Sequence, residues 1–148
     1  MACPFFMPTE KLEGGSWPHP SRLPLGSGWN GHCTASGHEA TSLSHTELES
    51  CNLGYAAKCH RLPQDRAWDS VRFGVIAGNQ SSNQTIRLRY VCERDHRPVE
   101  HGSLEFDSVA LDCQQPHANA QLQKMAECFL QSCTGRIADR ISAEKKLP

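Results

Sequence analysis

The 148-residue sequence has no surplus of charge of either sign: 15 Lys and Arg stand against 16 Asp and Glu, a formal net charge of −1. A nucleic-acid partner leaves a basic stripe or a strongly basic balance, so none is expected. The local exception, Arg87, Arg89, Arg94 and Arg97, reads as a solvated strand face. No apolar run approaches the ~20 residues that a membrane-crossing helix needs, which excludes membrane insertion by that route. The opening Met-Ala-Cys-Pro-Phe-Phe-Met-Pro lacks a basic start and its apolar stretch stops at Pro8. A signal peptide is therefore not expected, and a cytoplasmic location is. There is no nucleophile elbow, phosphate loop, dinucleotide fingerprint or paired-carboxylate motif, and no Cys-x-x-Cys knuckle. Nothing marks the chain as an enzyme.

What is there is cysteine, eight of them, with 11 Gly and 9 Pro. In a reducing compartment disulfides rarely persist, and cysteines at this density bind metal or do redox chemistry. Two tripeptides, Asn79-Gln80-Ser81 and Asn83-Gln84-Thr85, match the glycosylation acceptor pattern. Without a signal peptide they read as a polar loop.

Regular patterning is uneven. Residues 1–42 are broken by Pro4, Pro8, Pro18, Pro20 and Pro24 and by six glycines, from Gly14 to Gly37. That spacing forbids a long helix and disfavours a continuous strand, although Phe5, Phe6, Trp17 and Trp29 call for packing partners. The first local signal is Leu43-Ser44-His45-Thr46-Glu47-Leu48. Ser44 and Glu47 form a capping box, and Leu43 and Leu48 a hydrophobic staple. A helix over 45–53 follows, closed by Gly54.

From Val71 the apolar period becomes two. Val71, Phe73 and Val75 form one run, and Ile86, Leu88, Tyr90 and Cys92 another, with a turn over 78–84. After a polar connection through Pro98 and Gly102, Leu104 and Phe106 open a third strand that could run to Leu111. Leu122, Met125, Ala126, Phe129, Leu130 and Cys133 then fall on one helical face. Pro116 suits that helix's first turn, Gly135 is expected to end or interrupt it, and Ile137 and Ile141 extend the stripe. Cys128 lies off the stripe and is expected to be exposed.

The expected fold class is α+β: an irregular, Cys-rich N-terminal lobe (1–62) with one short helix, then a β-β-β-α domain (63–148). In the latter a three-stranded antiparallel sheet packs against a long C-terminal helix. Phe73, Ile86, Leu88, Tyr90 and Leu104 would face Leu122, Met125 and Phe129.

Cys3, Cys33, Cys51 and Cys59 are the candidate metal ligands. Their intervals of 29, 17 and 7 residues do not fit a zinc ribbon or finger, whereas iron–sulfur clusters take four thiolates at varied spacing. The segment that carries them has little apolar surface to offset an ordering entropy of roughly 1–2 kcal/mol per residue. Thiolate–metal bonds could supply that energy. Free thiols packed as small hydrophobes, or disulfides, are the other readings. His32 and His60, beside two of these cysteines, are reserve ligands.

Cys3-Pro4-Phe5-Phe6, Cys33-Thr34-Ala35, Glu47-Leu48-Glu49-Ser50-Cys51 and Cys59 resemble a pattern in short uncharacterised bacterial proteins. Those carry a Cys-Pro-Phe, a Cys-x-Ala, a Glu-Leu-Glu-x-x-Cys and a closing Cys. The resemblance covers the first sixty residues, with Ser50 in place of the usual Tyr and His60 in place of the usual Pro. It implies a four-cysteine metal site and no particular activity.

A second constellation is Cys92, His96 and His101 with Cys113 further on. Cysteine and neutral imidazole are zinc ligands, but Cys92 also continues the apolar face of Ile86, Leu88 and Tyr90. Three functions stay open: a metal-centre protein holding an iron–sulfur cluster, or zinc, in electron transfer, sensing or as a subunit partnered by another protein; an interaction domain with structural zinc or free thiols; and a small zinc hydrolase using Cys92, His96 and His101.

Overall fold

The structure is a computed structural model that describes residues 1–13, 23–39, 41–54, 58–76 and 85–144, with the side chains of 136–144 excepted. The expected turn over 78–84, the two acceptor tripeptides, Trp17 and the side chains of Ile137 and Ile141 lie outside the described residues. The architecture is mixed α+β. Among the described residues five strands, β1 (Phe6–Lys11), β2 (Trp29–Cys33), β3 (Ser70–Ile76), β4 (Thr85–Arg94) and β5 (Arg97–Asp107), accompany two helices, α1 (His45–Leu53) and α2 (Ala120–Glu144).

The N-terminal segment is more regular than its Pro and Gly content predicts. β1 and β2 pair antiparallel, Phe6 opposite Cys33 and Lys11 opposite Trp29, with a register shift between Pro8 and Glu10. Pro8 cannot donate to a ladder, and a two-stranded ribbon with a shift beside it is where a strand tolerates proline. Its partner is Gly31. A Cβ at Gly31 would collide with the Met7 carbonyl and come within 2.7 Å of the Phe6 ring, so a bare backbone is what lets the strands close.

β3, β4 and β5 form a three-stranded antiparallel sheet in that order. The polar connection expected after β4 is instead the start of β5: Arg94 pairs with Arg97, leaving a two-residue turn. Asp95 and His96 both take positive φ, 51° and 63°, as a primed hairpin turn requires. β5 ends at Asp107 rather than reaching Leu111. The Asp107 carboxylate accepts the Val109 and Ala110 N–H groups at 2.8 Å each, turning the chain; those two bonds hold its pKa below the usual value.

α1 is the helix its sequence spells out. Ser44 Oγ accepts the Glu47 N–H at 3.2 Å and Glu47 Oε2 accepts the Ser44 N–H at 2.7 Å. Gly54 closes it in the left-handed conformation at φ 81°. α2 begins later than Pro116: Asn119 Oδ1 accepts the Leu122 N–H at 3.0 Å and so caps it. It runs through Gly135 to Glu144 without a break. Glycine in a helix interior costs about 1 kcal/mol against alanine.

α2 lies against β1 as well as β3 and β4. Covered from two sides, it buries a wider arc than one stripe, and Gln123, Cys128 and Ser132 are buried alongside Leu122, Met125, Ala126 and Leu130. Cys128 is thus 2% exposed, against expectation. The hydrophobic core is continuous: Ala2, Cys3, Phe6, Leu25 and Trp29 cluster with Val71, Leu88, Tyr90, Cys92, Leu104 and Phe106. Phe73 and Phe129 are half-buried against it, with ring centroids 5.8 Å apart. Packing therefore crosses the 62/63 boundary. Ala2 and Val71 also exchange two backbone hydrogen bonds, at 2.7 and 2.9 Å, which extend the sheet beyond β3.

Candidate metal centre

Each of the four N-terminal cysteines is set in place by a different piece of structure. Cys3 follows the Ala2–Val71 bridge, and the chain then turns through Pro4 and Phe5 into β1. Cys33 ends β2 opposite Phe6. The next residue, Thr34, donates both its N–H (2.7 Å) and its hydroxyl (2.9 Å) to the Phe5 carbonyl. Cys51 lies in the last turn of α1, and Cys59 follows on the exposed segment after it.

Asn52 bolts these pieces together. It is 3% exposed. Its Oδ1 accepts the Trp29 N–H at 2.8 Å, and its Nδ2 donates to the Trp29 and Leu48 carbonyls at 2.9 Å each. A side-chain amide thus pairs with β2 as a neighbouring strand would, fixing α1 and Cys51 against the strand that carries Cys33.

The four cysteines line one cavity of about 260 Å³. Its other walls include Phe5, Phe6, Ala35, Leu43 and Leu62, with Lys58, His60, Arg61 and Glu47 as the polar part. Among the described residues no three His, Cys, Asp or Glu side chains are placed to hold a single ion. Cys3, Cys33, Cys51 and Cys59 are free thiols.

Burial raises the Cys3 thiol to about 11, with ionised Cys33 and Cys59 adding to it and the Phe5 and Phe6 backbone amides pulling the other way. Cys51 is raised to about 12, first by burial and then by Cys3, Cys59 and Cys33. Cys3 and Cys51 are therefore held as thiols at neutral pH when the cavity holds no metal. Amides aimed at sulfur stabilise the thiolate form. Besides Phe5 and Phe6 on Cys3, the Ala35 N–H donates to Cys33 Sγ at 3.4 Å. Cys-Pro-Phe-Phe and Cys-Thr-Ala are therefore turns that present N–H groups to their own cysteines.

Of the two histidines next to these cysteines, His60 lines the cavity, whereas His32 is an exposed residue of β2 outside its wall. The second constellation does not gather. Cys92 is fully buried in the core, with its thiol raised to about 12 by burial and by Glu100. His101 is opposite Val91 in the ladder and so projects from the other face of the sheet. His96 sits exposed in the β4–β5 turn. Cys113 bridges to Phe106, the partner of Ile86. Six residues along β4 separate that pair from Cys92, roughly 20 Å at about 3.4 Å per residue.

A histidine outside that motif is engaged instead. His117 Nε2 meets Glu100 Oε1 at 3.0 Å, and its Nδ1 accepts the Asn119 N–H at 2.9 Å. With Nδ1 accepting, Nε2 is the ring's donor, to Glu100. Tyr90 packs edge-on against the ring at 5.1 Å and its hydroxyl donates to the same carboxylate at 3.3 Å. Both ring nitrogens are occupied, so the group ties the start of α2 to β5 and leaves no free base.

No helix among the described residues is long and apolar enough to cross a membrane. No protein-family profile, no curated protein and no solved structure matches the chain.

Proposed function

We propose that this is a small metal-centre protein in which Cys3, Cys33, Cys51 and Cys59 hold an iron–sulfur cluster, with zinc as the alternative metal. Its work would be electron transfer, sensing, or service as a subunit beside another protein. The observation that carries the reading is that four cysteines scattered over the first 59 residues line a single cavity.

The donor set suits the group: four soft thiols, a partly apolar wall, and backbone amides directed at Cys3 and Cys33. Zinc draws its thiolates to about 2.3 Å from one point. A cavity of about 260 Å³ with the four cysteines in its wall is large for a single ion and so favours the larger occupant. When bound, a cluster supplies one-electron redox chemistry over a potential range set by net charge, hydrogen bonds to sulfur and solvent exposure. The chain's part is to shield it, through Phe5, Phe6, Leu43 and Leu62, and to release the four thiol protons on loading.

The test is metal content and visible absorption after anaerobic purification and reconstitution with iron and sulfide, beside a zinc-loaded sample. The reading expects stoichiometric iron and sulfide with visible absorption, lost in Cys33→Ser and kept in Cys92→Ser. A colourless protein with one tightly bound zinc selects the alternative. A wild-type protein that retains neither metal ends the proposal.

A further inference from the structure

The exposed part of the cavity wall is gathered at one place. Lys58, Cys59 and His60 are consecutive, exposed, and all line the cavity; Thr46 of α1 is the other exposed residue of its wall. Cys3 (9% exposed) and Cys33 (7%) stand on the buried side, and Cys51 is half-buried. Cys59 meets solvent. It still belongs to the set, since its charge acts on both Cys3 and Cys51. The mouth of the cavity is therefore built around one of the four candidate ligands.

The four also differ in how they are held. Cys3 follows the Ala2–Val71 bridge, Cys33 precedes Thr34 on the Phe5 carbonyl, and Cys51 precedes Asn52 on Trp29. Those ties join residues 69, 29 and 23 positions apart. The tie at Cys59 is local: its carbonyl accepts the Leu62 N–H at 3.2 Å. Two residues on, buried Arg61 is fastened to Glu47, Nη2 to Oε1 at 2.9 Å. Cys59 can thus leave the site without unpicking the long-range ties, while Arg61 keeps it within reach of its place.

Resting on the four-cysteine reading, we propose that Cys59 is the exchangeable ligand of the centre. It is displaced by the thiol of an acceptor that enters at the mouth formed with Thr46, Lys58 and His60, so the site hands its metal on. The thiolate is the form that attacks and the form that binds metal. The incoming sulfur bonds to the metal as the bond to Cys59 breaks. The acceptor thiol's proton ends on the Cys59 sulfur, and nothing is oxidised or reduced. Direct displacement needs a ligand that an incoming group can reach and that can leave without local unfolding. Cys59 meets both conditions, whereas Cys3, Cys33 and Cys51 are carried by tied elements.

The experiment uses wild type loaded with zinc and, in parallel, reconstituted with iron and sulfide; the form that loads decides. Limiting iodoacetamide is followed by native mass spectrometry and peptide mapping. Among the four ligands the first adduct is expected on Cys59, in molecules that still carry the metal. Metal transfer to reduced glutathione, and separately to a metal-free four-cysteine peptide, is expected to double in rate when the acceptor concentration doubles. Doubling with both acceptors assigns a protein cysteine as the incoming group; doubling with glutathione alone assigns a small thiol. A rate that ignores acceptor concentration shows that the metal departs before the acceptor arrives, and it overturns the inference. So do adducts that reach Cys3, Cys33 or Cys51 as early as Cys59, or that form only after the metal has gone. Each of these results leaves the four-cysteine centre standing. Wild type that retains neither metal removes both.

Discussion

The region before residue 62 and the region after it reach order by different means. In β3–β5 and α2 the apolar residues repeat with the period of the element they form, and strand neighbours in the chain are neighbours in the sheet. In the first region α1 has no apolar face of its own, and its fixed points are polar and distant. Asn52 on Trp29, Thr34 on Phe5, and Ala2 on Val71 are contacts between residues 23, 29 and 69 positions apart. Periodic burial spreads the support of a fold over many neighbouring contacts. A few long-range bolts make one that positions four side chains closely and depends on each bolt.

The largest effect tests whether the two regions are separate at all. Phe106 is fully buried in the shared core, and Phe106→Ala should cost about 3–5 kcal/mol. Because the core is continuous, urea unfolding should show one transition, with hydrogen exchange accelerated in β1 and β2 as much as in β4. Protection that falls only in β3–β5 would establish two independent units.

Next comes the bolt itself. Asn52→Ala strips the Trp29 N–H and carbonyl of their side-chain partners inside the protein, which should cost about 2–3 kcal/mol. Exchange should quicken around 29–33 and 45–54 while β4 keeps its protection, the contrast that a local tie predicts. Uniform loosening would show that Asn52 supports the core rather than the joint.

Alkali sharpens the comparison from the chemical side. Cys3 and Cys128 are raised to about 11 and Cys51 and Cys92 to about 12, from an ordinary 9.0, in every case by burial first. A folded-state pKa raised in this way favours the protonated fold, so its stabilising share is complete below about pH 9 and is lost as pH rises through 11 to 12. The urea midpoint of the reduced, metal-free protein should be level at neutral pH and fall steeply in that window. At pH 8, iodoacetamide should modify exposed Cys59 well before Cys3 or Cys51. A flat midpoint, or Cys51 reacting as fast as Cys59, would show that the buried thiols are open to water.

The smallest effect belongs to the cap. Ser44→Ala should destabilise by about 1 kcal/mol, visible in the urea midpoint and in exchange over 45–48, with the C-terminal sheet unchanged.

The elements that could be read from sequence are those whose cause is local. Ser44 and Glu47 are three residues apart and report a helix start without reference to anything else. The alternation of Leu88, Tyr90 and Cys92 reports a strand in the same way. β1 and β2 could not be read, because Pro8 argues against a strand and its partner Gly31 is 23 positions away. The Asp95–His96 turn lacks the Asn-Gly signal, so the first half of β5 read as loop. Cys128 read as exposed because one stripe predicts one covered face, and only β1, placed by its own pairing, covers the second. At the site, the cysteines themselves were legible from the composition of their segment. Asn52 and Arg61 were not, since each looks in sequence like any polar residue beside a helix.

The Ala2–Val71 bridge also sets an order in time. All four cavity cysteines have left the ribosome's decoding centre by residue 59, yet the wall that holds Cys3 is completed by a strand that begins at residue 70. β3 in turn needs β4 beside it. At about 5–20 residues per second, the thiols wait for seconds as an open set before a closed cavity can form. During nascent-chain growth they are exposed to oxidants and to stray metal ions until the later strands follow.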